Sequence, residues 1–312
     1  MIFDGHSDLF LAIQSQIEKG KRKVIDNYYD EMKVSNMIGG IFVMYLPNSQ
    51  RYYENFEVMF DNAVKEIKES LYFKVVKTTE DLLSDTKRVK VILGAESLMP
   101  LQYNVSLLEE FYNKGLRHAM LTWNEENELA TGVRGDKFNG LKEKGVEYIK
   151  KMEQLNMIID LSHLNERSFY DVMDIVKGPV ICSHSNCFKL CEHPRNLKDK
   201  QILKIKEKKG LISVTAVPSF VSEDPKKQNI QGLVEHIVYL KNLIGVDHIG
   251  LGFDYMGFYG ENEGNLNDLY NFSHSHKIID ELLFNGFNKE EIEKITYKNY
   301  FRVISEILGT EE

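Results

Sequence analysis

The chain opens Met1-Ile2-Phe3-Asp4-Gly5-His6-Ser7-Asp8, an apolar start interrupted by an imidazole and a carboxylate two residues apart. In a strand, residues i and i+2 point to the same side, so His6 and Asp8 face one space. That pair suits a divalent transition metal. Four later segments repeat the theme at the ends of short apolar runs: Gly94-Ala95-Glu96, Asp160-Leu161-Ser162-His163, Cys182-Ser183-His184 and Gly252-Phe253-Asp254. A carboxylate placed straight after Val91-Ile92-Leu93-Gly94-Ala95 is costly unless paired or metal-bound. His163 and His184 are separated by one helical pattern, so they occupy equivalent places on adjacent strands.

Six side chains therefore converge on one mouth: His6, Asp8, Glu96, His163, His184 and Asp254. A catalytic zinc needs three protein ligands and a water. The set exceeds that need, and one shared carboxylate would let it serve two ions about 3.5–4 Å apart. Such a pair holds a hydroxide and polarises a carbonyl, which is hydrolytic chemistry. Asp254, on the far side of the rim, is placed for general acid/base work, or for holding a histidine.

Repeated strand and helix patterns must position these groups. Strands are predicted at Ile2–Asp8, Ile38–Tyr45, Val89–Ala95, His118–Thr122, Met157–Leu161, Val180–Cys182, Leu211–Thr215 and His248–Gly252. Several are continuous apolar runs, as in strands buried on both faces of a parallel sheet. Between them lie stripes of helical period, such as Phe169, Val172, Met173 and Val176, or Ile230, Leu233, Val234, Ile237 and Leu240. Asn288 with Glu291 resembles a capping box. Gly115, Gly178, Gly210 and Gly286 fall at helix ends, where a left-handed residue is expected. The pattern predicts an α/β fold, a (β/α)8 TIM barrel, as a single domain over residues 1–312. The competitor is an open doubly wound sheet, weakened because no G-x-G-x-x-G follows the first strand. The polar stretches Pro47–Phe56 and Phe258–Phe272 read as long loops of the active-site-lid kind.

Composition narrows the function classes. The chain has 312 residues, 43% of them hydrophobic and 28% charged, which excludes disorder and collagen-like repeats. No apolar run is long enough for a membrane span, and the opening has no secretory leader pattern. A net charge of −8 argues against nucleic acid as a partner. Cys182, Cys187 and Cys191 form neither a disulfide framework nor a common zinc pattern, and read as reduced thiols in a reducing compartment.

The ordered motifs resemble those of the membrane dipeptidase (renal dipeptidase) family, binuclear zinc metallopeptidases related to the amidohydrolases. The resemblance rests on Asp4-Gly5-His6-Ser7-Asp8, Gly94-Ala95-Glu96, Ile159-Asp160-Leu161-Ser162-His163, Pro179 to Asn186, Arg195-Asn196, Gly250-Leu251-Gly252-Phe253-Asp254 and Asn299 to Val303. It covers essentially the whole chain. It implies a dipeptidase acting through a metal-bridging hydroxide and tolerant of a C-terminal D-residue. It implies two divalent ions, most simply Zn2+: His6 and Asp8 on one, His163 and His184 on the other, and Glu96 between them. Asp254 would move the proton, and Arg195 would bind the dipeptide's C-terminal carboxylate, a fit for its planar fork. A cytoplasmic homodimer without nucleic-acid or membrane partners is the accompanying expectation. Two positions depart from the family. Trp123 stands in Leu121-Thr122-Trp123-Asn124 where many members have a histidine that contacts the scissile carbonyl, so Trp123 or Asn124 must serve the substrate there. Met256 stands where a second acid is common. These departures keep open another amide, lactone or N-acyl amino acid as substrate, or a catalytically weak metal-binding protein.

Overall fold

A computed structural model of the chain describes residues 1–47, 52–258 and 264–309. Among the described residues nine strands share one sheet: β1 (Ile2–Ser7), β2 (Met37–Met44), β3 (Phe73–Val75), β4 (Val89–Ala95), β5 (Leu116–Met120), β6 (Ile158–Asp160), β7 (Ile181–Cys182), β8 (Leu211–Val214) and β9 (Ile249–Leu251). All their ladder pairings are parallel. Eight run in the order β1-β2-β4-β5-β6-β7-β8-β9. The two ends of that order meet, because Asp254 N–H donates to the His6 carbonyl (3.3 Å) and Phe253 N–H to Asp4 Oδ1 (2.9 Å). With helices between the strands this is the expected (β/α)8 barrel, and the open doubly wound sheet is set aside.

β3 is an addition to the eight expected strands. It pairs with Val89–Val91 at the start of β4, and β5 takes over that side of β4 from Leu93 onward. Three residues carry too little alternation to stand out in a sequence.

Apolar strand residues fill the lower barrel. Phe3, Ile41, Ile92, Ile158, Ile181 and Leu211 pack together with Tyr300, Val303 and Ile304 of the helix Asn299–Leu308. The barrel floor is therefore closed by this helix, and the polar ends of the strands are left at the other face. Gly5 makes the closure possible: a Cβ there would lie 1.6 Å from Tyr300 Oη. A second, larger cluster lies between sheet and outer helices, and it takes in the predicted stripes of helices Glu166–Ile175 and Ile230–Ile244.

The capping box is present as expected, with Asn288 and Glu291 each accepting the other's backbone N–H at 3.0 Å. Gly115 and Gly286 adopt positive φ, 130° and 79°. Gly178 and Gly210 do not. After the helix Asp199–Glu207 it is Lys209 that turns left-handed (φ 56°), whereas Gly210 is needed because a Cβ would meet the Val180 carbonyl at 2.3 Å.

The two expected lid loops are only partly described, since residues 48–51 and 259–263 lie outside the described residues. Tyr53 to Phe56 are helical, as the start of Tyr53–Glu69, and Leu266 bridges Leu269 within the second stretch. A long irregular segment instead follows β5: residues 121–142, pinned by bridges Glu126–Thr131 and Gly132–Leu164, which carry Trp123 and Asn124 at their base. None of the described helices is long and apolar enough to cross a membrane. Cys182, Cys187 and Cys191 are free and buried.

Candidate metal centre

The predicted side chains meet at the C-terminal ends of the strands. β1 supplies His6, at a bulge where the register advances by three from Asp4 to Ser7 of β1 but by two from Gly40 to Phe42 of β2. Such bulges re-aim side chains beside active sites. Asp8 is the N-cap residue of the helix Leu9–Glu18, yet its side chain makes no capping bond. Its Oδ1 is buried without a hydrogen-bond partner, as are His6 Nε2 and Glu96 Oε2. Orphaned buried polar atoms are costly, and three of them converge here.

The distances are those of a cluster. His6 Nε2 lies 3.9 Å from Asp8 Oδ1, 3.7 Å from Glu96 Oε1 and 3.9 Å from Asp254 Oδ1. Glu96 Oε1 is 2.9 Å from His163 Nε2 and 3.9 Å from His184 Nε2. The two Nε2 atoms of His163 and His184 are 2.8 Å apart. Ligand atoms of His6, Glu96 and His184 lie within 4.8 Å of one another, as do those of His6, Asp8 and Asp254. Glu96 thus stands between His6 and the His163–His184 pair, where the resemblance implies a shared ligand.

Backbone strain marks the same positions. His163 (φ 72°) and Asp254 (φ 58°) are left-handed, and Ser97, next to Glu96, has φ 132°. Non-glycine residues adopt such angles at a cost and persist in them when the surroundings over-determine them.

Charge completes the description. Burial raises Asp8 to about 7, with repulsion from Asp254 adding to it, and raises Asp254 to about 6 against the pull of Arg195. Glu96 is pushed well above the carboxylate range by burial and by Asp8 and Asp254. Burial lowers His6 to about 3 and His184 well below the usual histidine value. Neutral imidazoles and crowded carboxylates are the donor set a divalent cation requires. The residues present therefore fit a metal.

Neighbours fix the rings. Ser183 Oγ lies 2.8 Å from His184 Nδ1 and 3.4 Å from His6 Nδ1. His163 Nδ1 donates to Asn124 Oδ1 at 2.9 Å. With Nδ1 protonated in each ring, all three Nε2 lone pairs face the cluster. Asn124, expected at the substrate, has its carbonyl oxygen engaged by His163. The Trp123 ring lies 5.9 Å from the His163 ring and 5.4 Å from Tyr45, so it walls the mouth beside one histidine. Arg195 is buried (5% exposed), with Nη2 donating to the His184 carbonyl at 3.4 Å and its guanidinium 5.5 Å from the Phe220 ring. Arg195, His163 and Ser185 line one cleft of about 230 Å³, walled by Leu161, Leu164 and Phe169.

A family model for membrane dipeptidases, peptidase family M19, matches residues 1–312. The chain belongs to the membrane dipeptidase family. It is 31% identical over 218 residues to dipeptidase tcpJ of Claviceps purpurea, a match that covers 69% of this chain and 50% of that protein. The chain spans about half the length of the fungal dipeptidases it matches (46–52%). Two solved structures share the fold. One is dipeptidase AC, a metallo peptidase of family M19, with a TM-score of 0.88 at 23% identity, covering 99% of both chains. The other is a metallo peptidase from Rhodobacter sphaeroides liganded with a phosphinate mimic of the dipeptide L-Ala-D-Ala, with a TM-score of 0.86 at 22% identity, covering 98% of this chain and 99% of that one.

In this member of the membrane dipeptidase family three groups have roles that the motifs do not assign. Asp4 is buried; its Oδ1 accepts from Phe253 N–H (2.9 Å) and His6 N–H (3.3 Å), and burial raises it to about 8. His118 and Asp160 form a fully buried pair, Nε2 to Oδ2 2.9 Å. Burial works against the Asp160 carboxylate, but His118, the Ser183 side chain and the Ser162 N–H hold it below the ordinary range. Asp4 and Asp160 stood inside motifs without a role, and the signal for His118 was a polar residue inside an apolar strand.

Proposed function

We propose that the chain is a metal-dependent dipeptidase using two divalent ions, most simply Zn2+. One observation carries the reading: polar side chains from β1, β4, β6, β7 and the end of β9 converge, with orphaned donor atoms, beside a cleft shared by His163 and the buried Arg195. His6 and Asp8 would hold one ion, His163 and His184 the other, with Glu96 common to both. When bound, such ions acidify water and polarise a carbonyl at neutral pH.

The chain's own groups do the rest. Arg195 holds the free C-terminal carboxylate, which sets the scissile bond toward Glu96 and His163. Asp254, near pH 6 in its titration and 3.9 Å from His6, takes the proton from the attacking water and returns it to the leaving amine. The apolar walls of the cleft exclude water around the C-terminal side chain. The L-Ala-D-Ala mimic bound by the Rhodobacter sphaeroides peptidase supports L-D dipeptides among the substrates.

Trp123 favours a second reading on the same site. Its ring stands 5.9 Å from that of His163, at the position where the resemblance expects an imidazole, so an N-acyl amino acid, a lactone or another amide is the alternative substrate.

The test is hydrolysis of a panel of L-L and L-D dipeptides and N-acyl amino acids by metal-stripped and zinc-reconstituted protein. Zinc-dependent dipeptide cleavage is the expected result. Cleavage of N-acyl amino acids alone selects the second reading. Full metal uptake with no turnover of any member overturns both.

A further inference from the structure

We propose that Asp160 is the positioning anion of the half-site formed by His163 and His184. The backbone ladder between β6 and β7 ends at Asp160 and Ile181, with Leu161 N–H donating to the Ile181 carbonyl at 2.8 Å as its last rung. β6 has three residues and β7 two, so both histidines lie beyond the ladder that joins these two strands, although Ser185 N–H still reaches the Ser213 carbonyl of β8 at 2.8 Å. The Asp160 carboxylate continues the stitching. Its Oδ1 accepts from Ser162 N–H (2.9 Å) and from Ser183 N–H (3.2 Å), the residues directly before His163 and His184. One buried oxygen therefore ties two strand ends that the ladder has released.

The bonds lead onward from there. Ser162 Oγ accepts from His184 N–H at 3.4 Å, and Ser183 Oγ contacts Nδ1 of His184 and of His6. Oδ2 of Asp160 meets His118 Nε2 at 2.9 Å. The His118 ring in turn packs against β4 just before Glu96, since a Cβ on Gly94 would lie 2.5 Å from its Nδ1. His163 needs such support, because a left-handed non-glycine residue relaxes unless held. Groups that orient metal ligands from outside the coordination shell typically affect metal affinity or activity by 10–100-fold.

The inference rests on the two-ion reading above, and its test separates the two. Metal-stripped wild type, Asp160→Asn, His118→Gln and His163→Ala are titrated with Zn2+ against a chromogenic chelator, and Co2+ spectra are recorded. Melting curves are taken alongside those of Ile202→Ala, a cavity variant in the larger core cluster. His163→Ala identifies which of the two affinities belongs to its half-site. In Asp160→Asn that same affinity is expected to fall about 10–100-fold, with the other within about 3-fold of wild type and an altered Co2+ spectrum. His118→Gln, which keeps an N–H donor, is expected to fall between. Unchanged affinities in Asp160→Asn overturn the proposal. So does an equal fall in both affinities that tracks lost melting temperature as in Ile202→Ala, which makes Asp160 a structural residue only. If wild type takes up a single ion, the two-ion reading fails and this inference with it.

Discussion

Asp254 and His6 are joined twice: the Asp254 N–H donates to the His6 carbonyl at 3.3 Å, and Asp254 Oδ1 lies 3.9 Å from His6 Nε2. The first contact closes the barrel and the second lies in the candidate metal cluster. Because the backbone bond survives a side-chain change, Asp254→Asn tests the carboxylate alone. It is expected to lower kcat about 10²–10⁴-fold with metal content unchanged, as loss of a general acid/base does. Steady-state kinetics with metal analysis of the same sample decides it.

Arg195 should matter for the substrate's carboxylate and little for the metal. Arg195→Met is expected to lower kcat/KM on dipeptides by roughly 10–100-fold, the worth of a charged hydrogen bond. Wild type should prefer a dipeptide over its C-terminal amide, and the variant should not. A preference that survives the substitution would assign the carboxylate to another group.

Removing metal should couple stability to pH. Asp8 and Asp254 have folded pKa values of about 7 and about 6, above the ordinary carboxylate value of 3.8. Raised carboxylates bind protons in the folded state, so their contribution is full below pH 3.8 and is lost as pH rises through 6 and 7. The stripped protein should therefore fall further behind the zinc-loaded protein as pH rises from 4 to 8. Paired thermal melts across that range check it; a gap that stays constant or narrows contradicts the crowded-carboxylate picture.

A second pH effect lies outside the site. His236 is buried, with Nε2 bonded to the Val221 carbonyl (2.9 Å) and Nδ1 accepting from Cys187 N–H (3.1 Å). Burial lowers it to about 4 from 6.5. A depressed histidine leaves the unfolded state holding more protons between those values, so its stability is full above 6.5 and is lost as pH falls toward 4. The loss is on the order of 3 kcal/mol. His236→Gln should be less stable at pH 8 and should lack this part of the slope in urea titrations.

Gly5→Ala should unfold or rearrange the barrel floor, because the added methyl would sit 1.6 Å from Tyr300 Oη. A penalty of about 3 kcal/mol or more is expected from such overpacking. The double variant Gly5→Ala with Tyr300→Phe, which removes the clashing hydroxyl, should recover part of it in denaturant melts.

Much of the site was legible because its ligands end apolar strands. His6 and Asp8 stand out two residues apart, and His163 and His184 repeat at equivalent strand ends. Asp160 was visible as a residue and silent as to role, since its partners Ser183 and His118 come from neighbouring strands and only the folded sheet brings them near. Asn124 was expected at the substrate. Whether it also sits behind His163 depends on the path of the irregular segment after β5, which no periodicity encodes. β3 escaped because three residues make no pattern, and Lys209 displaced Gly210 as the left-handed residue because Gly210 was committed to a close backbone approach.

The contact between Tyr300 and Gly5 has a consequence for the timing of folding. On the ribosome β1 emerges first and the helix 299–308 emerges only after all nine strands have left the tunnel. Until then the floor residues Phe3, Ile41 and Ile158 lack this lid, and incompletely packed apolar surface of that kind is aggregation-prone. The helix that closes the barrel floor is therefore made after every described strand it covers.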